Sequence, residues 1–194
     1  MPYRYIYMVR HGQYETAKRD AGLLTATGKK QAQKTALTLN NIPFTTIYHS
    51  TISRAEQTAH IIAKEQQNIP LEPTDLLREC VPSIPPHMSA LFNVNHIGTA
   101  PEEMTLCVDQ LQNLYDTYFI PPEDSDIYEL FVCHGNVIRY ITAHALQVNA
   151  ANVWLNMLIY NCGISHLMID KSGQVYVITH NGIGHLPEEL RTHS

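Results

Sequence analysis

Arg10, His11, Arg54, Glu79 and His134 are the residues of this 194-residue chain whose types and places could together do chemistry. Each falls just after a predicted strand or at the start of a predicted helix, and ligands of α/β sheets bind beyond the carboxyl ends of the strands. Two guanidiniums can hold a phosphoryl group through several charge-assisted hydrogen bonds. Between them, a neutral imidazole could attack phosphorus; nearby Arg charges lower its pKa and keep His11 unprotonated near neutral pH. Arg10, Arg54 and His134 would then stabilise the equatorial oxygens of the transition state. Glu79 is the candidate acid for the departing oxygen, because a bound phosphate dianion would raise its pKa, and the same carboxylate would later activate water. The chain has no Lys-bearing Gly-rich nucleotide loop and no carboxylate set suited to two metals. These residues point to phosphoryl transfer to an imidazole with neither metal nor cofactor.

The elements that must position these groups can be read in order. Tyr3-Arg4-Tyr5-Ile6-Tyr7-Met8-Val9 reads as a strand delivering Arg10-His11-Gly12. After a polar loop, Gln13 to Leu24, Thr25 or Thr27 can cap a helix of Lys29 to Leu39 with Ala32, Ala36 and Leu39 on one face. Thr45 to His49 reads as a strand, and Ser53 as the N-cap of a helix reaching about Gln66. Arg54 lies in that helix's first turn, where the dipole disfavours a cation unless the Arg faces a bound anion. Ile69 to Thr74 is a short strand that leads to Glu79, and residues 80 to 100 read as a long Pro-rich loop. Pro101 to Tyr118 has the apolar spacing of a helix, with Pro at its first position. Tyr128 to Cys133 is a buried parallel strand running into His134-Gly135-Asn136 and a helix to Leu146. A short helix, Asn149 to Asn156, precedes two strands, Cys162 to Asp170 and Gln174 to His180, joined as a hairpin at Lys171-Ser172-Gly173. This order predicts one α/β domain over residues 1–194, doubly wound, with an antiparallel element late in the chain.

Composition narrows the classes. At 44% hydrophobic and 16% charged residues the chain is globular, and no apolar run is long enough to cross a membrane. A formal net charge of −5 argues against nucleic-acid binding, which needs a basic face. Cys80, Cys107, Cys133 and Cys162 are widely spaced, so they read as reduced thiols of an intracellular, cytoplasmic protein rather than a disulfide framework. Cys80, beside Glu79, reads as packing rather than as redox control. The eleven histidines form no metal motif, and His180 and His185 read as structural or exposed. Asn136 is either a helix cap or part of the phosphate pocket with Gly135; Gln13 and Tyr14 are candidate substrate contacts or plain loop.

Taken together, Arg10-His11-Gly12, the segment Ser50-Thr51-Ile52-Ser53-Arg54-Ala55-Glu56-Gln57-Thr58-Ala59 and His134-Gly135-Asn136 resemble the motifs of the histidine phosphatase superfamily, the phosphoglycerate-mutase-like proteins. Within it, Arg10–Tyr14, Asp75–Glu79, Phe131–Ile141 and Gly163–Leu167 are most similar to its serine/threonine protein phosphatases of mitochondria. The resemblance implies a three-layer α/β/α sandwich, mostly parallel with one antiparallel strand. It implies that His11 is phosphorylated, that Arg10, Arg54 and His134 form the phosphate pocket, that Glu79 donates the proton, and that no metal takes part. Those relatives carry an N-terminal membrane segment and a Trp-Asp assembly motif. Here the chain opens on its first strand and has Trp154 alone, so membrane anchoring and that assembly are not expected, while association with mitochondria stays open.

Substrate is read from charge. From Cys80 to Ile138 there is neither Lys nor Arg. A mutase must hold a second anionic group, so unless Lys18, Arg19 or Arg78 reaches the site this stretch favours one phosphate on a neutral or apolar body and predicts weak phosphoglycerate mutase activity. A phosphorylated protein side chain and a small phosphomonoester both fit. A phosphate-binding scaffold without chemistry is the rival from another class. A homodimer paired through the late strands is left open.

Overall fold

β1, Arg4–Arg10, sends alternate residues to opposite faces, and both faces are buried. Ile6 and Met8 pack into one core with helices α3 (Pro101–Tyr118) and α4 (Gly135–Ala145). Val9 faces the other core with α1 (Ala26–Leu39) and α2 (Ser53–Ala63). The same split recurs in β4 (Ile127–Cys133), where Phe131 and Cys133 join the first core and Leu130 and Val132 the second. A strand covered on both faces reads as a near-continuous apolar run, as Ile6 to Val9 and Leu130 to Cys133 do, while Arg4 and Glu129 are buried as an ion pair at 2.6 Å. The computed structural model describes residues 1–66, 68–84, 100–153 and 156–193. Most of the predicted loop of residues 80 to 100, and Trp154, lie outside the described residues.

Six strands form one sheet. β2 (Thr46–Ser50), β3 (Leu71–Thr74), β5 (Ile164–Ile169) and β6 (Val175–Gly182) complete it in the order β3-β2-β4-β1-β5-β6. β1 to β4 run parallel, and β5 runs against β1 and β6. The result is the expected three-layer sandwich with one antiparallel strand. Register does the functional work: Arg10 lies opposite Cys133, so the residues that follow, His11 and His134, leave adjacent strands side by side. The His11 N–H donates to the Cys133 carbonyl at 3.0 Å and holds the two strand ends together.

Local chemistry moves some boundaries. The Thr25 hydroxyl accepts from the Gly28 N–H at 3.0 Å, so α1 starts before Lys29. Ile52, not Ser53, is the cap position of α2, and the Ser50 hydroxyl accepts the Ile52 N–H at 3.2 Å. The loop after β1 contains a turn of 3-10 helix, Thr16–Ala21. Of the helix expected over Asn149 to Asn156, a short α5, Ala150–Val153, lies among the described residues, while Trp154 and Leu155 lie outside them. The C-terminal segment is tied down: the Asn161 N–H donates to the Thr192 carbonyl at 2.8 Å, and the Gln31 amide to the Leu190 carbonyl at 2.6 Å.

One expectation is overturned. Cys80 and Cys107 form a disulfide with Cα atoms 5.6 Å apart, while Cys133 and Cys162 are buried free thiols. Spacing along the chain says nothing of which cysteines meet in space. Cys107 lies on the buried face of α3, and α3 packs back on the 3-10 turn Asp75–Leu77, which leads to Cys80. The pair closes a loop across 27 residues, and such a link is worth about 2–4 kcal/mol to folding.

Candidate active site

Five elements converge on the ends of β1 and β4. His11 and His134 are 1% and 0% exposed, with ring centroids 5.0 Å apart. His11 Nδ1 lies 2.8 Å from the Gly12 carbonyl oxygen. A carbonyl only accepts, so Nδ1 carries the hydrogen and a neutral ring presents the Nε2 lone pair. Toward that nitrogen the Arg54 Nε–H donates at 3.1 Å. Burial pushes the His11 pKa well below its ordinary value, and the Arg10 and Arg54 guanidiniums push it further the same way. Desolvation, rather than the Arg charges expected from the sequence, is the larger cause.

The loop that carries His11 is fixed by close backbone contact. A Cβ on Gly28 would stand 2.0 Å from the Gln13 carbonyl oxygen, and one on Gly12 2.6 Å from the Gly28 carbonyl oxygen. The Gly12 N–H also donates to the Thr58 hydroxyl of α2 at 3.0 Å, and the Asn161 amide to the His11 carbonyl at 3.1 Å. Arg54, 5% exposed, lies in the first turn of α2 with its guanidinium carbon 4.4 Å above the Tyr14 ring. Tyr14 in turn meets the His11 ring edge-on at 5.1 Å. The arginine that the helix dipole disfavours is thus held by the imidazole and the ring.

His134 differs. Its Nε2 lies 2.9 Å from the Ser50 hydroxyl oxygen, and its buried Nδ1 has no hydrogen-bond partner among the described residues. Burial again pushes its pKa well below the ordinary value, with His11, Arg54 and Arg10 adding to the effect. Arg10 donates from Nη1 to the Ile159 carbonyl at 2.5 Å. Glu79 accepts the Asn136 N–H at 3.2 Å. Desolvation raises the Glu79 carboxyl above its usual value even against Arg10, Arg54 and Arg139, which pull it down. No bound phosphate dianion is needed for that rise.

All five charge-bearing or imidazole groups singled out in the sequence therefore meet. The lesser candidates divide. Tyr14 lies at the site. Gln13 is turned to the start of α1, where its side-chain oxygen accepts the Thr25 hydroxyl at 2.8 Å. Asn136 gives its backbone N–H to Glu79 and its side-chain amide to the Cys80 carbonyl at 2.9 Å. Gly135 lies between two guanidiniums: a Cβ there would be 3.4 Å from Arg139 Nη1 and 3.7 Å from Arg10 Nε. Sequence reasoning missed Ser50 as a partner of His134, as well as Arg139, Asn161 and the carbonyl of Ile159. Ser50 and Arg139 lie within segments already quoted for their motifs; Asn161 and the Ile159 carbonyl act by geometry that no spacing announces. Among the described residues no three or more His, Cys, Asp or Glu side chains are grouped to hold a metal ion.

The profile of the histidine phosphatase superfamily, branch 1, matches residues 6–82 and 121–181. The chain belongs to that superfamily. This histidine phosphatase is 34% identical to the mouse serine/threonine-protein phosphatase PGAM5, mitochondrial, over 98% of its own length and 67% of the mouse protein's. It is 35% identical to the Caenorhabditis elegans protein of the same description, over 95% of the chain and 64% of that protein. It thus spans about two thirds of these relatives. Among solved structures, a phosphoglycerate mutase from Plasmodium falciparum is 32% identical, with a TM-score of 0.66 over 97% of this chain and 96% of that one. A phosphoglycerate mutase from Bacillus anthracis shares the fold, with a TM-score of 0.72 at 17% identity over 95% of each chain. The enzyme is a histidine-type phosphatase. The matched relatives are named mitochondrial, and no helix among the described residues is long and apolar enough to cross a membrane.

Proposed function

We propose that this enzyme hydrolyses phosphomonoesters without metal through a phosphohistidine on His11, and that its substrates are phosphoserine and phosphothreonine side chains of proteins. The observation that carries the reading is the fixed tautomer of His11: Nδ1–H is tied to the Gly12 carbonyl, so Nε2 is the nucleophile, neutral and placed beside Arg54. The phosphoryl group takes over the Arg54 N–H that now meets Nε2. Arg10 and Arg54 bind its oxygens, and charge-assisted contacts of this kind give most of the rate in phosphoryl transfer. Ser50 already accepts the Ile52 N–H, and its own hydroxyl hydrogen goes to His134 Nε2. His134 then carries its hydrogen on Nδ1 and donates it to a phosphoryl oxygen. Glu79, raised by burial, gives its proton to the departing alkoxide and recovers one from the water that cleaves the P–N bond.

The preference for protein substrates is supported by the relatives' description as serine/threonine-protein phosphatases. It is also supported by charge: the first cation after the Lys- and Arg-free stretch is Arg139, whose donors go to Met157 and Asn136. Near the site, two donors of Arg139 are engaged and Arg78 donates to the Thr51 hydroxyl at 3.1 Å, so mutase turnover is expected to be weak despite the 32% identical mutase structure. The relatives' names favour association with mitochondria over a plain cytoplasmic assignment; fractionation of cells expressing the whole protein tests this.

Hydrolysis of p-nitrophenyl phosphate and of phosphothreonine peptides, with EDTA present, is the test. Metal-independent activity lost in His11→Ala supports the mechanism, and a higher kcat/KM on peptides supports the substrate class. A small-ester preference would move the reading to a small-molecule phosphatase, and activity that survives loss of His11 would overturn the mechanism. A folded wild type without activity on either substrate would favour the scaffold reading.

A further inference from the structure

We infer that Arg139 is a positioning residue for proton transfer: its guanidinium orients Asn136, and Asn136 holds the Glu79–Cys80 segment against the start of α4. The inference deepens, and rests on, the reading of Glu79 as proton donor.

The contacts form one chain. Arg139 lies on α4 one turn beyond Gly135 and is partly buried. Its Nε–H donates to the Met157 carbonyl at 2.7 Å and its Nη1–H to Asn136 Oδ1 at 2.9 Å. With Oδ1 so engaged, the Asn136 carboxamide can point only its Nδ2–H at the Cys80 carbonyl, at 2.9 Å. The backbone N–H of the same Asn136 meets Glu79 Oε1 at 3.2 Å. One residue therefore grips both the carboxylate and the carbonyl that follows it, and Arg139 decides which way its amide faces. A planar guanidinium can give two hydrogen bonds in different directions from different nitrogens; an ammonium on a flexible stem cannot reproduce that geometry.

The far end of the chain matters equally. The Met157 carbonyl that takes Arg139 is two residues from the Ile159 carbonyl that takes Arg10. The same segment is fixed by Asn181, which accepts the Tyr160 N–H at 2.9 Å and donates to the Leu158 carbonyl at 2.7 Å. A guanidinium on the phosphate side and one on the proton-donor side thus share one anchor, with Gly135 between them. In the step concerned, the ester P–O bond breaks as the P–Nε2 bond of His11 forms, and the proton leaves Glu79 for the departing oxygen. The distance from Glu79 to that oxygen is the quantity that this chain of contacts sets. Arg139 and Glu79 also feel one another electrostatically: the carboxylate favours the charged guanidinium, and the guanidinium favours the carboxylate.

Leaving groups provide the test. A nitrophenolate departs with little protonation, whereas the alkoxide of phosphothreonine requires it. Wild type, Arg139→Met, Arg139→Lys and Glu79→Gln are compared on p-nitrophenyl phosphate and a phosphothreonine peptide across pH, with thermal melts to check folding. Glu79→Gln should lose about 10²–10⁴-fold on the peptide and far less on the aryl ester. Arg139→Met should show the same selectivity on a smaller scale: peptide kcat falling about tenfold more than aryl kcat, its basic limb moved to higher pH because Glu79 loses a nearby positive charge. Arg139→Lys should restore only part of the ratio. Asn136→Ala cuts the same link and replaces Arg139→Met if the latter does not fold. Equal losses on both esters with an unmoved basic limb would overturn the role of Arg139. Equal losses in Glu79→Gln would instead overturn the reading of Glu79.

Discussion

The ends of β1 and β4 carry the same kind of group in the same register, yet present it differently. His11 and His134 follow paired residues of adjacent parallel strands, both rings are buried, and both are held neutral. On β1 the ring's Nδ1 is taken by the next residue's own carbonyl, so Nε2 faces Arg54. On β4 it is Nε2 that is taken, by a hydroxyl from β2, and Nδ1 is the remaining nitrogen. A hydroxyl can donate or accept; a carbonyl can only accept. One ring is thereby left with Nε2 facing Arg54, as the proposed nucleophile requires, and the other with Nδ1 unengaged among the described residues, as the proposed donor requires. Position in the fold makes a pair of histidines, and the partner of the second ring nitrogen divides their labour.

This division is most strongly strained by removing one ring at a time. His11→Asn should lower turnover on the order of 10³-fold or more and leave no phosphoenzyme in a base quench, where the P–N bond survives. His134→Asn should cost about 10²–10³-fold in kcat, as loss of a transition-state donor does, while phosphoenzyme still forms slowly. Equal behaviour of the two variants would break the comparison.

A finer cut falls on Ser50. Ser50→Ala removes the hydroxyl that the proposed mechanism uses to place the hydrogen of His134 on Nδ1. It should lower kcat about tenfold, the equivalent of one neutral hydrogen bond. Nitrogen NMR of the imidazoles should show His134 changing tautomer while His11 stays as it is. Ser50→Thr, which keeps the hydroxyl, should restore both.

Stability reads the same contrast from another side. Both rings have folded pKa values below the ordinary 6.5, so the unfolded chain takes up more protons as pH falls through that value. Stability should be full above about pH 6.5 and decline below it, each histidine adding up to about 1.4 kcal/mol per pH unit. Glu79 acts in the opposite sense, since its folded pKa is raised and it favours the folded state at low pH. Urea midpoints measured from about pH 8 to pH 5 should therefore slope less in His134→Asn than in wild type, and an unchanged slope would count against a buried neutral ring.

What could be read before any coordinates follows from how each feature is encoded. β1 and β4 are buried on both faces, so Ile6, Met8, Val9, Leu130, Phe131 and Val132 announce themselves by composition, and the residues after them mark the sheet edge. α3 has the bounds its sequence predicts because Pro101 and an apolar stripe both lie within it. Ser53 reads as a cap while Ile52 holds that position, because capping preference cannot show that Ser50 already serves the Ile52 N–H. The Cys80–Cys107 link and the anchoring of Arg10 and Arg139 on the carbonyls of Ile159 and Met157 were illegible for one reason. A disulfide partner and a backbone acceptor are matters of where the chain returns, and any residue type can offer a carbonyl.

The central claim is that the Gly12 carbonyl fixes His11 so that chemistry occurs at Nε2, and phosphorus NMR of the trapped phosphoenzyme tests it most directly. Enzyme mixed with excess phosphomonoester and quenched in base should carry one phosphohistidine, on His11, with phosphorus bonded to Nε2. Phosphorus on Nδ1 of His11, or on His134, would contradict the account.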